Sequence, residues 1–126
     1  MRAIADTSLF IAFEAGRTLG AEPPDEVVVS VVTIGELRLG VLMADGIEAR
    51  QRRLSTLQLA AAVEPIPIDG AVATAWAELV ATLRTIGRSM KLNDSWIAAT
   101  ALAHELPVAT QDADFDHVPG LNVIRL

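Results

Sequence analysis

At 126 residues and 52% hydrophobic content, the chain suits one domain with one sizeable core; it is too short for two and too apolar for disorder. It holds no cysteine, which excludes disulfides, thiolate zinc sites and a cysteine nucleophile, and its net charge of −6 argues against broad electrostatic binding to nucleic acid. A local basic face or a bound cation stays open, and with no long apolar run and no signal-peptide pattern the expectation is a soluble cytoplasmic protein without a membrane partner.

In chain order, Arg2-Ala3-Ile4-Ala5 has the length and character of a short strand that delivers Asp6-Thr7-Ser8. Leu9 to Ala15 reads as a helix stopped by Gly16, and Val27 to Val32 as a β-branched strand buried on both faces. Thr33 and Glu36 stand in capping-box spacing before a helix that carries Ile34, Leu37, Val41 and Leu42. A further helix is expected from Ile47 to Ala62. Pro65 to Ile68 follows as an extended piece whose two prolines favour an edge position. Asp69 caps a long helix from Ala71 to Ile86, striped by Val72, Trp76, Leu79, Val80 and Leu83. Asp94 opens the next helix, which Leu106-Pro107 ends. Val108 to Thr110 is a buried strand, Gln111 to Phe115 an acidic loop, and Leu121 to Arg125 a last strand. Strands alternating with helices predict a parallel sheet covered on both faces, with functional groups beyond the carboxyl ends of the strands.

Taken singly, the acids have ordinary explanations. Asp6 and Asp94 could cap helices, Glu36 could belong to the capping box, and Asp112 and Asp114 could make local turns. Together they occupy strand ends and helix starts where the rims of a parallel sheet converge. Clustered carboxylates repel unless a cation or protons compensate, and hard oxygen donors suit Mg²⁺ or Mn²⁺. His104 and His117 lack metal spacing; His104 reads as the end of a helix.

Four motifs then stand in order: Asp6-Thr7-Ser8, Ser30-x-x-Thr33-x-x-Glu36-Leu37-x-x-Gly40, Asn93-Asp94-x-x-Ile97-Ala98-Ala99-Thr100-Ala101, and Thr110-Gln111-Asp112-x-Asp114-Phe115. In this order the chain resembles PIN domains, and more narrowly the VapC-type toxins of bacterial toxin–antitoxin pairs, from end to end. The resemblance implies one PIN-like domain over residues 1–126: a three-layer α/β/α sandwich with a mainly parallel central sheet. It also implies a Mg²⁺-dependent endoribonuclease, with Mn²⁺ able to substitute, acting on an RNA substrate to leave 5′-phosphate and 3′-hydroxyl ends. Carried over by motif, the catalytic and metal-holding acids are Asp6, Glu36, Asp94 and Asp112. Asp114 is a helping ligand or the alternative fourth acid. The hydroxyls of Thr7, Ser8, Ser30 and Thr110 are candidates to orient those carboxylates. Arg50, Arg52, Arg53, Arg84, Arg88 and Lys91 are candidates to steer the RNA backbone. An antitoxin is expected in a groove over the helices between Thr33 and Ala62, and a homodimer through other helices.

Two other classes compete. A phosphatase or phospho-accepting receiver also places an Asp after its first strand. A phosphatase, however, wants a second acid where Ser8 stands, and a receiver wants a lysine where Thr110-Gln111 stand. A non-catalytic module could use the same acids to bind a basic peptide.

Overall fold

The computed structural model describes all 126 residues. Strands β1 (Arg2–Ala5), β2 (Glu26–Val28), β3 (Val108–Thr110) and β4 (Val123–Arg125) form one sheet in the order β2-β1-β3-β4, and every pairing is parallel. Five helices surround it: α1 (Thr7–Glu14), α2 (Val31–Leu42), α3 (Ile47–Ala60), α4 (Gly70–Thr85) and α5 (Leu92–Ala103). The chain leaves β1 toward β2 on one side and later returns to β3 on the other. The gap beyond the carboxyl ends of β1 and β3 is therefore a topological switch point, the place where such sheets bind ligands.

Strand alternation sorts the two faces. Ile4, Val28 and Val108 lie in register across three strands and pack with Leu79, Leu83, Ile97 and Phe115 beneath α4 and α5. Ala5 and Val29 turn to the other face, where they meet Phe10, Leu37, Leu57 and Ala60 of α1, α2 and α3. Helix α5 is buried along Ile97 to Ala101, and its small side chains let it settle against β1. It ends in a Schellman motif: Leu106 N–H donates to Ala101 O at 2.9 Å and Glu105 N–H to Leu102 O at 3.2 Å. Glu105 takes the left-handed position usually given to glycine, with φ of 54°.

Three expectations need revision. The β-branched run from Val27 does not stay extended to Val32. Ser30 interrupts it, its hydroxyl accepting from Val32 N–H at 3.1 Å as the cap of α2. That local hydrogen bond offers the backbone a helix start that the preference of Val31 and Val32 for strands does not overcome. Thr33 and Glu36 are consequently not a capping box: both lie within α2, and Thr33 is fully buried. Asp94 is not a cap either. It lies in the first turn of α5, whose cap position is Lys91 with no side-chain capping bond. Other expectations hold. Asp69 caps α4 by accepting from Val72 N–H at 3.0 Å, and Ile66 forms a single parallel bridge to Ser30 at the sheet's edge.

Candidate metal-binding active site

Asp6 leaves the end of β1 and is 2% exposed. Its backbone N–H donates to Ala109 O of β3 at 3.1 Å, which anchors it at the switch point. The carboxylate caps α1 by accepting from Leu9 N–H at 3.3 Å and takes a shorter bond, 2.7 Å, from the Ser8 hydroxyl. Burial raises its pKa above the usual carboxylate value, and Asp112 adds to the rise. The Ser8 and Thr110 hydroxyls act against it. Capping and site chemistry thus coexist in one side chain.

The other acids come from separate elements. Glu36, on α2, accepts from the Thr7 hydroxyl at 2.7 Å, and the same hydroxyl lies 3.2 Å from that of Thr33. Thr110, the last residue of β3, lies 3.2 Å from the Ser8 hydroxyl and accepts from Asp112 N–H at 2.9 Å. This tie holds the start of the acidic loop against α1. The loop continues as a 3-10 turn, Ala113–Phe115, pinned by the wholly buried Phe115. Asp112 and Asp114 are exposed on either side of Ala113, and Asp116 lies away in an ion pair with Arg125 at 3.1 Å. Ser30 serves α2 as its cap rather than orienting a carboxylate.

Asp94 registers how these acids gather. Its pKa is pushed up to about 6, first by desolvation, then by the charges of Asp114, Asp6 and Glu36, with Lys91 pulling the other way. Lys91 lies 3.2 Å from Asp114, and its pKa is raised mainly by that acid. The structure therefore brings Asp114, Asp6 and Glu36 within electrostatic reach of Asp94, and Asp112 within reach of Asp6. It does not close them into a cage, since no three stand close enough to grip an ion. Repulsion favours such spacing, and Thr7 and Lys91 hold two of the acids on separate partners. The donors are carboxylate oxygens backed by hydroxyls, without sulfur or imidazole, a set that fits a hard divalent cation.

Sequence reading missed two features. Lys91 stood out there only as a cation that could steer RNA, yet it is paired across the site with Asp114. Trp96, not singled out at all, stacks on Trp76 with ring centroids 4.5 Å apart and 9° between planes. Their places on two helices joined by a short loop were the only available signal.

A family model for the PIN domain matches residues 3–121. Ribonuclease VapC4 of Mycobacterium tuberculosis is 53% identical over 130 residues, covering 99% of this chain and 97% of that protein. The crystal structure of VapBC-5 from Mycobacterium tuberculosis superposes with a TM-score of 0.90 at 43% identity, covering 99% of this chain and 98% of that one. FitAcB from Neisseria gonorrhoeae superposes with a TM-score of 0.75 at 27% identity, covering 98% and 96%. PIN-domain VapC ribonucleases are generally metal-dependent. A parallel sheet with acids gathered at its switch point and a match along almost the whole chain lead to one conclusion: this chain belongs to the PIN domain family, among its VapC members.

Proposed function

We propose that residues 1–126 act as one domain, a Mg²⁺-dependent endoribonuclease that is the toxin of a toxin–antitoxin pair. The observation that carries this reading is the gathering of Asp114, Asp6 and Glu36, from three separate elements, around half-buried Asp94, whose pKa is pushed up to about 6 by desolvation first and by those charges next. Such a concentration of negative charge is costly to fold and useful once a cation is bound. Drawn closer than they now stand, Asp6, Glu36, Asp94 and Asp112 would hold the ion, Mg²⁺ or Mn²⁺, with Asp114 assisting. When bound, the ion supplies Lewis acidity at the scissile phosphate. The chain's own contribution is orientation. Ser8 fixes one oxygen of Asp6, Thr7 fixes one of Glu36, and Thr110 fixes the backbone at Asp112.

The antitoxin reading rests on apolar surface. Leu42 is 67% exposed and Met43 73%, at the end of α2, and Ile11, Leu39 and Leu54 are exposed nearby. A cleft of about 150 Å³ runs from Ile11 and Leu37 to Thr7 and Glu36, joining this surface to the acids. An antitoxin segment lying there could direct an arginine at the carboxylates and compete with the metal. That VapBC-5 was solved as a toxin–antitoxin system supports this assignment. A homodimer through other helices, in the cytoplasm, completes the reading; no helix of the chain is long and apolar enough to cross a membrane.

The partner-free protein should cut RNA in Mg²⁺ or Mn²⁺, stop in excess EDTA, and stop again when purified with its co-expressed antitoxin. Cleavage that persists in EDTA would refute the metal-dependent reading. A second expectation separates the loop acids. Asp112 has no ion-pair partner and raises the pKa of buried Asp6, whereas Asp114 is engaged by Lys91. Asp112→Asn should therefore reduce kcat by more than Asp114→Asn, and the reverse ranking in steady-state assays would transfer the fourth position to Asp114.

A further inference from the structure

The ribonuclease reading leaves open how a chain of net charge −6 holds a polyanion next to an acidic centre. A local basic surface must do it, and pairing narrows the candidates. Arg2, Lys91 and Arg125 are in ion pairs, and Arg53 donates to the carbonyl of Gly40. Arg17, Arg38, Arg50, Arg52, Arg84 and Arg88 form no ion pair, and of these Arg84 and Arg88, at the end of α4 and just beyond it, line a cleft of about 200 Å³ with Trp76. The segment from Arg88 to Met90 is shared with a second cleft, of about 200 Å³, that reaches Asp114. One path therefore runs from the acids, past Arg88, to a half-buried indole. That indole is held in place: it stacks on Trp96, and its Nε1–H donates to the Ser95 hydroxyl at 2.9 Å.

We propose, resting on the ribonuclease reading, that this cleft between the end of α4 and the start of α5 is a subsite for single-stranded RNA beside the scissile bond. Trp76 offers a fixed apolar ring to a nucleobase, and Arg84 and Arg88 receive the adjoining phosphates. An aromatic platform beside unpaired guanidinium groups is the arrangement that binds single strands with little dependence on base identity. A second copy of the chain suits the cleft less well. A two-fold contact there would bring Arg84 and Arg88 toward their own counterparts.

The molecule supplies its own probe. It contains two tryptophans and no tyrosine, so its intrinsic emission comes from this stacked pair alone. Titrating the protein in EDTA with a mixed-sequence RNA decamer should change that emission saturably. By anisotropy of a labelled decamer, the double variant Arg84→Gln/Arg88→Gln should bind about tenfold more weakly or worse. Its dependence of log K on log salt should be shallower by about 1.4, the loss of two phosphate contacts on a single strand. With Mg²⁺, its KM should rise while kcat holds. Trp76→Leu should weaken binding about tenfold and Trp76→Phe restore it to within about threefold, with melting temperatures recorded for both. RNA binding without any change in emission, or an unchanged salt dependence in the double variant, would overturn the proposal. So would an emission shift that follows protein concentration without RNA, which would give the cleft to a second copy. Failure of the wild type to cleave RNA at all would instead sink the ribonuclease reading, because the binding titration judges the cleft independently.

Discussion

Asp94→Asn should abolish metal-dependent cleavage and yet raise the melting temperature of the metal-free protein by up to roughly 7 °C. Asp94 makes no capping bond and stands half-buried among Asp114, Asp6 and Glu36. A carboxyl whose pKa is moved from 3.8 to about 6 is disfavoured as the anion by roughly 3 kcal/mol at face value. Solvent screening of a half-exposed group reduces that to about 1–2 kcal/mol. An acid in the first turn of α5 also gains about 0.3–1 kcal/mol from the helix dipole, which Asn forfeits, so the net change is a smaller gain. The sign with pH follows from the raised pKa. The native state binds the proton more tightly than the unfolded chain, so wild-type stability declines as pH rises from about 4 to 6, and the full penalty stands above 6. The mutant's advantage should vanish below about pH 4 and be complete at pH 7. Added Mg²⁺ should raise the melting temperature of wild type more than that of the mutant, because only native-state binding stabilises. Calorimetric melts across pH, with and without metal, check all of this. A mutant that melts well below wild type at pH 7 would contradict the electrostatic account.

Phe115→Ala should be the most damaging change to stability, costing about 3–5 kcal/mol and lowering the melting temperature by roughly 10–20 °C. Phe115 is 0% exposed and is the largest fully buried side chain in the protein. It joins the cluster of Ile4, Val108, Ile97 and Leu83 from a turn outside the sheet, so its ring ties the acidic loop to the core. Asp112 precedes that turn, Asp114 lies within it, and both are exposed. Loss of the ring should therefore also lower cleavage at temperatures where the fold survives, though Phe115 touches no substrate. Phe115→Leu keeps much of the packing and should cost about 1.5 kcal/mol or less. Urea titration of the three proteins tests the ranking. A Phe115→Ala midpoint close to wild type would mean that other contacts hold the loop.

What the sequence determined by itself was local in cause. Alternation and β-branching marked the strands, Asp69 marked the start of α4, and Leu106-Pro107 marked the stop after α5, because each depends on residues a few positions apart. The order of the four acidic motifs carried the family in the same way. Tertiary structure decided the rest. Ser30 rather than Thr33 caps α2, a contest between two nearby hydroxyls that the path of β2 into the sheet resolves. The Thr7 hydroxyl reaches Glu36 across 29 positions and Ser8 meets Thr110 across 102, pairings that exist only because β1 lies beside β3. The raised pKa of Asp94 and the hold of Lys91 on Asp114 likewise need charges from distant segments brought together at one end of the sheet. Sequence spacing records which acids exist. Only the parallel pairing of β1 with β3 brings Asp6 and Asp112 close enough to repel, a repulsion that a bound cation would relieve.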